Sequence, residues 1–153
     1  MLTGWRLVKN THVATAFSGD GAARASGRWN SYGRRVVYAS SSRALAILET
    51  LVHLDQPVRH HYALFRIEFT EALAATLAPT TLPPDWRIDP PSRFTQQLGD
   101  HWLLARRSAI LTVPSAVIPD ECNYLLNPTH PDFSRVKIGQ PEPFSLDPRL
   151  AKA

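Results

Sequence analysis

The sequence predicts an α+β fold, a single compact domain with a mixed or antiparallel sheet and a few helices. Three observations predict it. The chain has 153 residues, the size of one domain, and no linker-like stretch divides it, so residues 1–153 read as one unit. Short runs of β-branched and aromatic residues recur, each bounded by Gly, Pro, Ser or Asn. Only two segments carry apolar residues at helical spacing. Strands therefore outnumber helices and the helices do not alternate with them, which disfavours a doubly wound parallel sheet.

In chain order, "GWRLVK" is a first candidate strand, and "FSGDGAARASG", rich in Gly, Ser and Ala, reads as a flexible loop. "RRVVYAS" is β-branched and aromatic, hence a strand. Ser40 to Ser42 then offer N-cap oxygens to "RALAILETLVHL". In that helix Leu45, Leu48 and Val52 recur at helical spacing as the expected core stripe, and the helix is expected to end before Pro57. "HYALFRIEF" alternates, with Ala63, Phe65, Ile67 and Phe69 on one face and Tyr62, Leu64, Arg66 and Glu68 on the other. "SRFTQQLGDHWLLARRS" is helical, with Leu98 and Trp102 four apart. "AILTVPSAVI" is a strand broken at Pro114, and "NYLLN" and "RVKIG" add short strands. The prolines cluster in "APTTLPPDWRIDPPS" and in "NPTHPDFSRVKIGQPEPFSLDPRL". Those stretches read as ordered loops and extended pieces, because Pro blocks helix interiors and biases the residue before it towards β.

Composition excludes several classes. A hydrophobic share of 44% with 20% charged residues is ordinary for a globular protein and argues against disorder. The one cysteine, Cys122, cannot form a disulfide within the chain, which favours a reducing compartment. "MLTGWRLVKN" lacks the apolar region of a signal peptide, and no run of about 18 apolar residues occurs, so the expected location is the cytoplasm. The net charge of +4 and pI near 9.6 suit a nucleotide, a nucleic acid or an acidic protein alike, because the arginines are scattered.

Most familiar motifs are missing. "GDGAAR" has Arg24 where a dinucleotide fingerprint needs its third glycine, and no strong strand precedes it. There is no GxxxxGK[ST] phosphate loop and no GxSxG nucleophile elbow. The pair His60 and His61 shows no metal-ligand spacing, so no metal is expected. His101 reads as a surface residue and His130 as a loop residue. Cys122 reads as a small buried side chain rather than a nucleophile.

One constellation remains, in "GRWNSYGRRVVYASSSRALAILE". Arg28 precedes a strand, Tyr38 lies in it and Glu49 lies in the following helix. With Leu45 at zero on a helical wheel, Glu49 falls about 40° away, at the edge of the expected apolar stripe. A carboxylate so placed needs a donor or a ligand. Residue pattern alone leaves both readings open. One is a salt bridge to a nearby arginine or to His53, with Arg28 solvated and Tyr38 in the core. The other is a shared ligand.

These residues carry a resemblance. "SGDGAARASGRWNSYGRRVVYASSSRALAILETLVHL" resembles the N-terminal signature of the RES domain family, and "DHWLLARRSAILTVPSAVIPDECNYLLNPTHPDFSRVKIGQPEPFSLDPRL" resembles its C-terminal half. GRWN, the strand Tyr, the helix Glu, VPSAV and N-Y-L-x-N-P-x-H-P occur in order, and the likeness runs from Trp5 to Leu150. It implies a fold similar to ADP-ribosyltransferases of the diphtheria type. It also implies the activity of a toxin from a bacterial toxin–antitoxin pair, acting on NAD and neutralised by an antitoxin of the Xre kind.

Carried onto this chain, the resemblance implies Glu49, Arg28, Tyr38 and Ser115 as catalytic residues and Arg6, Arg28, Tyr38 and Ser115 as NAD contacts. The serine of VPS, Ser115, is preferred over nearby Ser108. Tyr32 and Arg24 depart from the family pattern around GRWN without touching this set. Glu49 is expected to stabilise the ribose cation, Arg28 with Arg6 to grip the pyrophosphate, and Tyr38 to stack on the nicotinamide. Ser115 is expected to bond the ligand or hold Glu49. Asn123 and Asn127 are expected to tie down the Pro-rich loops, and Trp29 and Trp102 to lie in the core.

The expected reaction cleaves the nicotinamide–ribose bond by attack of water or phosphate. The alternative is ADP-ribosylation of a protein or nucleotide. A third reading, a basic nucleic-acid-binding module using Arg34, Arg35, Arg106 and Arg107, lacks the interleaved aromatics such a surface needs, so direct nucleic-acid binding is not expected.

Overall fold

Eight strands make one sheet in the computed structural model, which describes residues 1–54 and 61–151. They are β1 (Leu2–Lys9), β2 (Val37–Ser40), β3 (Tyr62–Phe69), β4 (Ala74–Thr76), β5 (Ile110–Pro114), β6 (Cys122–Leu126), β7 (Lys137–Ile138) and β8 (Glu142–Phe144). The order is β4-β5-β6-β2-β1-β3-β7, with β8 also paired to β3. Only β4 and β5 run parallel, so the sheet is mixed and mostly antiparallel. The α-helices are α1 (Asp20–Ala25), α2 (Arg43–Leu51) and α3 (Arg93–Ala105). This is the α+β architecture that the sequence predicts.

The sheet has a seam. β1 and β3 pair along eight residues and β2 and β6 along four, but β1 meets β2 only at Trp5 opposite Ser40. Two ladders therefore diverge from one contact. Packing closes the wedge on one face, where Val37, Ala39, Tyr124 and Leu126 from one half meet Ile67 and Phe69 from the other. The Phe69 and Tyr124 rings meet edge to face at 5.0 Å. Each fully buried side chain of this size contributes about 1.5–3 kcal/mol, so this cluster outweighs the missing ladder bonds. On the other face Leu111, Val113 and Leu125 pack against Trp29, Trp102 and Leu103, which brings α3 onto β5 and β6. Trp29 and Trp102 are thus core residues, as the sequence suggests. Gly99 makes that approach possible, because a Cβ there overlaps the Trp29 carbonyl oxygen.

Local chemistry explains the helix starts. Ser42 Oγ accepts the Leu45 N–H at 3.1 Å and Ser92 Oγ accepts the Thr95 N–H at 3.4 Å. Arg43, the first residue of α2, lies over the Trp5 ring at 4.3 Å, which holds this end of the helix against β1.

Several expectations change. "FSGDGAARASG" is not wholly a loop: Asp20 to Ala25 form α1, because the alanines favour helix and Asp20 suits its N-terminal dipole. The second strand begins at Val37, not Arg34. α2 ends at Leu51, while Pro57 and His60 lie outside the described residues. Leu48 and Val52 do not join the core; they are 37% and 57% exposed, and Leu45 and Ala46 make the buried contacts instead. Both faces of β3 are buried apart from Arg66 and Glu68. No helix among the described residues is long and apolar enough to cross a membrane.

Candidate active site

Glu49 owes its position to the rotation of α2. The two fully buried residues of that helix are Leu45 and Ala46. At about 100° per residue Glu49 falls between them, well inside the buried arc rather than at its edge. Its carboxylate reaches the ends of β5 and β6. Ser115 Oγ donates to Glu49 Oε1 at 2.6 Å, and Asn123 Nδ2 donates to the same oxygen at 2.8 Å. No salt bridge to Glu49 is formed among the described residues, so neither an arginine nor His53 satisfies it. Oε2 makes no hydrogen bond to a described residue.

Ser115 is committed to this task. Its side chain is fully buried, and its Oγ accepts the backbone N–H groups of Val117 and Ile118, each at 3.1 Å. With both acceptor positions filled, its one proton goes to Glu49. Ser108 stands elsewhere: it accepts from Trp102 Nε1 and donates to the Ile110 carbonyl, both at 2.8 Å. The fold therefore brings Ser115, and not Ser108, to Glu49.

Asn123 was expected to tie down a loop and instead binds the carboxylate. Its amide is oriented from behind, because Ser40 Oγ donates to Asn123 Oδ1 at 2.8 Å. Asn127 does anchor the following loop, accepting from the Thr129 N–H and donating to the Leu103 carbonyl. His130 lies in a loop, as expected, and is buried there; it accepts the Asp132 N–H and contacts the Arg106 carbonyl. His101 is exposed. Cys122 is half-buried and free, beside Tyr124, whose phenol burial and Cys122 together push up to about 12.

Arg28 is half-buried and spends Nη1 on two carbonyls, those of Trp86 and Ile88, each at 2.9 Å. These bonds anchor the Pro-rich loop. The Nε/Nη2 edge makes no bond to a described residue, and that edge is the fork that matches phosphate oxygens. Burial pulls the guanidinium below its ordinary value, while the fields of Asp89, Glu49 and Tyr38 act in the opposite sense. Its chain neighbours Gly27 and Trp29 both meet the Tyr38 hydroxyl, so the backbone of Arg28 passes beside that residue.

Tyr38 is held by its hydroxyl. It donates to Asn30 Oδ1 at 2.5 Å and accepts the Trp29 N–H at 3.3 Å. Burial pushes its phenol well above the ordinary tyrosine range, so it is neutral at pH 7. Asn30 is fully buried and donates to the carbonyls of Ala22, Ser31 and Arg34, which folds the GRWN turn around it. Gly27 leaves room for this pair, since a Cβ there comes within 2.8 Å of both Asn30 Oδ1 and the Tyr38 hydroxyl.

Arg6 is not drawn into the Glu49 cluster. Strand alternation points it to the face opposite Trp5, beside Phe17. Its Nε donates to the Ala16 carbonyl at 2.7 Å and its Nη1 to the Tyr38 carbonyl at 2.8 Å. The guanidinium thus bridges the seam where the β1–β2 ladder stops. Burial lowers it to about 10, so it is charged at pH 7. It lines a cavity of about 310 Å³ together with Lys9, Thr50, Leu54 and Tyr62. Among the described residues no three His, Cys, Asp or Glu side chains gather to hold a metal ion.

Asn123 and Asn30 are the site residues that residue pattern missed. An Asn at the edge of an apolar strand was a signal for the first, since Asn is disfavoured in strands.

Known proteins resemble this chain in sequence and in fold. The family model described as "RES domain" matches residues 3–147. The "Prs ADP-ribosylating toxin" of Sphingobium sp. (strain YBL2) is 39% identical over 97% of this chain and 96% of its own length. A "Toxin Res" of Yersinia enterocolitica is 40% identical over 95% of this chain and 97% of its own, and one of Photorhabdus laumondii is 39% identical over 97% of each. The fold is similar to a chain of the MbcT–MbcA toxin–antitoxin complex of M. tuberculosis, with a TM-score of 0.78 at 19% identity, covering 98% of this chain and 86% of that one.

Proposed function

The chain belongs to the RES domain family, and on that footing we propose that it is the toxin of a bacterial toxin–antitoxin pair that breaks the nicotinamide–ribose bond of NAD. The observation that carries this reading is Glu49, a carboxylate inside the buried arc of α2 with Oε1 pinned by two neutral donors and Oε2 bonded to no described residue. Among the described residues no cation forms a salt bridge with this group, whereas a developing ribose cation is an opposite charge for it to meet.

The chemistry suits a single carboxylate. Nicotinamide leaves NAD as a neutral ring from a cationic one, so no general acid is needed at the leaving group. What remains is an oxocarbenium-like ribose, which a fixed carboxylate stabilises as in glycoside hydrolysis. Glu49 Oε2 takes that role and also binds ribose hydroxyls. The Nε/Nη2 edge of Arg28 binds a pyrophosphate oxygen pair. The Tyr38 ring forms a platform for nicotinamide, with its hydroxyl already spent on Asn30. Ser115 holds Glu49 through its one proton. Arg6 supports the site through the Tyr38 carbonyl and lends positive charge to the cavity that it lines.

The acceptor of ADP-ribose is water or phosphate in this reading. A second reading, transfer to a protein or nucleotide, is favoured by the name of the Sphingobium relative, an ADP-ribosylating toxin. The neutralising partner is an antitoxin of the Xre kind; the similar M. tuberculosis fold comes from a toxin–antitoxin complex. The site of action is the cytoplasm. Incubating the purified chain with NAD, with and without phosphate, and identifying the products tests the reading. Free nicotinamide with ADP-ribose or its phosphate supports it; an ADP-ribosylated macromolecule in cell extract, with little NAD lost otherwise, replaces it with the second.

A further inference from the structure

We infer that Asn123, oriented by Ser40, is a positioning residue for Glu49, one that divides the carboxylate into a held oxygen and a working oxygen. The inference rests on the reading of Glu49 as the catalytic carboxylate and extends it to residues given no role in catalysis above. Asn123 Nδ2 and Ser115 Oγ both donate to Oε1, at 2.8 and 2.6 Å. Neither touches Oε2. Two donors from two segments, Asn123 in β6 and Ser115 just past the end of β5, fix both the position and the plane of the carboxylate, which one donor cannot do.

The direction of the Asn123 amide is set by Ser40. The Ser40 hydroxyl lies 2.8 Å from Asn123 Oδ1, and Ser40 faces Asn123 directly in the β2–β6 ladder. A flipped amide sets its carbonyl oxygen against the Glu49 carboxylate, acceptor against acceptor, and offers its NH₂ to Ser40. The observed orientation satisfies Ser40, Asn123 and Glu49 together. Ser40 and Asn123 are both buried, so water does not readily replace either bond. Ser40 is also the residue opposite Trp5 at the one contact joining β1 to β2. The chain Ser40–Asn123–Glu49–Ser115 therefore joins β2, β6, α2 and the loop that follows β5, and ties the carboxylate to the seam of the sheet.

Three variants test this against wild type: Asn123→Ala, Asn123→Asp and Ser40→Ala. An outer hydrogen-bond partner of a metal ligand is typically worth about 10- to 100-fold in activity, and the same scale is expected for a partner of Glu49. Asn123→Ala is expected to lower kcat for NAD by that factor while KM stays within about threefold. Asn123→Asp keeps the shape, removes the donor and sets a like charge beside Glu49, so kcat falls at least as far. Ser40→Ala loses less, because Asn123 remains and only its orientation is freed. Crystal structures of wild type and Asn123→Ala supply a readout that needs no turnover. Glu49 is expected to leave Ser115 or to occupy two rotamers in the variant. An unchanged kcat, a rise in KM alone, or a Glu49 that stays in place in the Asn123→Ala crystal overturns the inference. Wild type that releases no nicotinamide refutes the NAD reading instead, and the Glu49 positions then decide the positioning role by themselves. If both Asn123 variants fail to fold, Ser40→Ala decides by the same two readouts.

Discussion

Ser115→Ala separates a held carboxylate from an incidental contact. The substitution removes one oxygen that serves three bonds: a donation to Glu49 at 2.6 Å and acceptance from the Val117 and Ile118 N–H groups at 3.1 Å each. A hydrogen bond to a charged group contributes about 1.5–3 kcal/mol, and a buried backbone N–H left without an acceptor costs about 1–3 kcal/mol. Val117 and Ile118 are only half-buried, so water compensates part of the second loss. The expected destabilisation is about 2–5 kcal/mol, a drop in Tm of roughly 4–20 °C for a domain of this size. Calorimetry reads the first number, and nicotinamide release reads the accompanying loss of activity. Ser108→Ala is the control: it removes the bond from Trp102 Nε1, costs stability and leaves activity intact. A Ser115→Ala protein with wild-type Tm and wild-type turnover refutes the assignment of Ser115 as a support for Glu49.

Other consequences follow from the same geometry. Arg28→Ala is expected to raise KM for NAD by about tenfold or more, since a charge-assisted bond is worth about 1.5–3 kcal/mol; isothermal titration with NAD checks it, and unchanged affinity moves the pyrophosphate elsewhere. Gly99→Ala drives a methyl group into the Trp29 carbonyl and is expected to destabilise the domain by more than about 4 kcal/mol, read as loss of soluble protein or of cooperative melting. Tyr38, Tyr62 and Tyr124 are all pushed up by burial, so the folded state holds their protons more tightly than the unfolded state does. The stability they contribute is full below about pH 10 and is lost as pH rises beyond it, at up to about 1.4 kcal/mol per pH unit for each phenol. Tyr38→Phe is expected to flatten that alkaline slope in urea titrations, and an unaltered slope contradicts the burial of the Tyr38 phenol.

Arg28, Tyr38 and Glu49 lie in one contiguous strand–helix unit, so residue pattern singles them out together, but it leaves a salt-bridged corner and a shared ligand both open, and only the family resemblance gives them roles. Ser115 came only through its motif, since Glu49 and Ser115 stand 66 residues apart and nothing local joins them. Asn123 stood 74 residues from Glu49 at a strand edge, where an Asn reads as turn chemistry. The wheel misplaced the buried face of α2 because it centred the face on leucines; Glu49 and Ala46 belong to that face and Leu48 and Val52 do not. α1 was hidden by the Gly-Asp-Gly start that reads as loop. β4 and β8 have three residues each and no pattern of their own, so only their neighbours make them strands. The seam is likewise a tertiary property: no residue in β1 or β2 announces that their ladder stops after one pair.

The central claim is that Glu49 meets a developing ribose cation. Glu49→Gln keeps an oxygen to accept from Ser115 and Asn123 and removes only the charge, so the fold survives. Nicotinamide release from NAD by the two purified proteins, at matched folding by circular dichroism, measures that charge directly. The account predicts turnover by wild type and a loss of at least about 100-fold in Glu49→Gln, the scale of a lost electrostatic stabiliser. A folded Glu49→Gln protein that releases nicotinamide at the wild-type rate contradicts it.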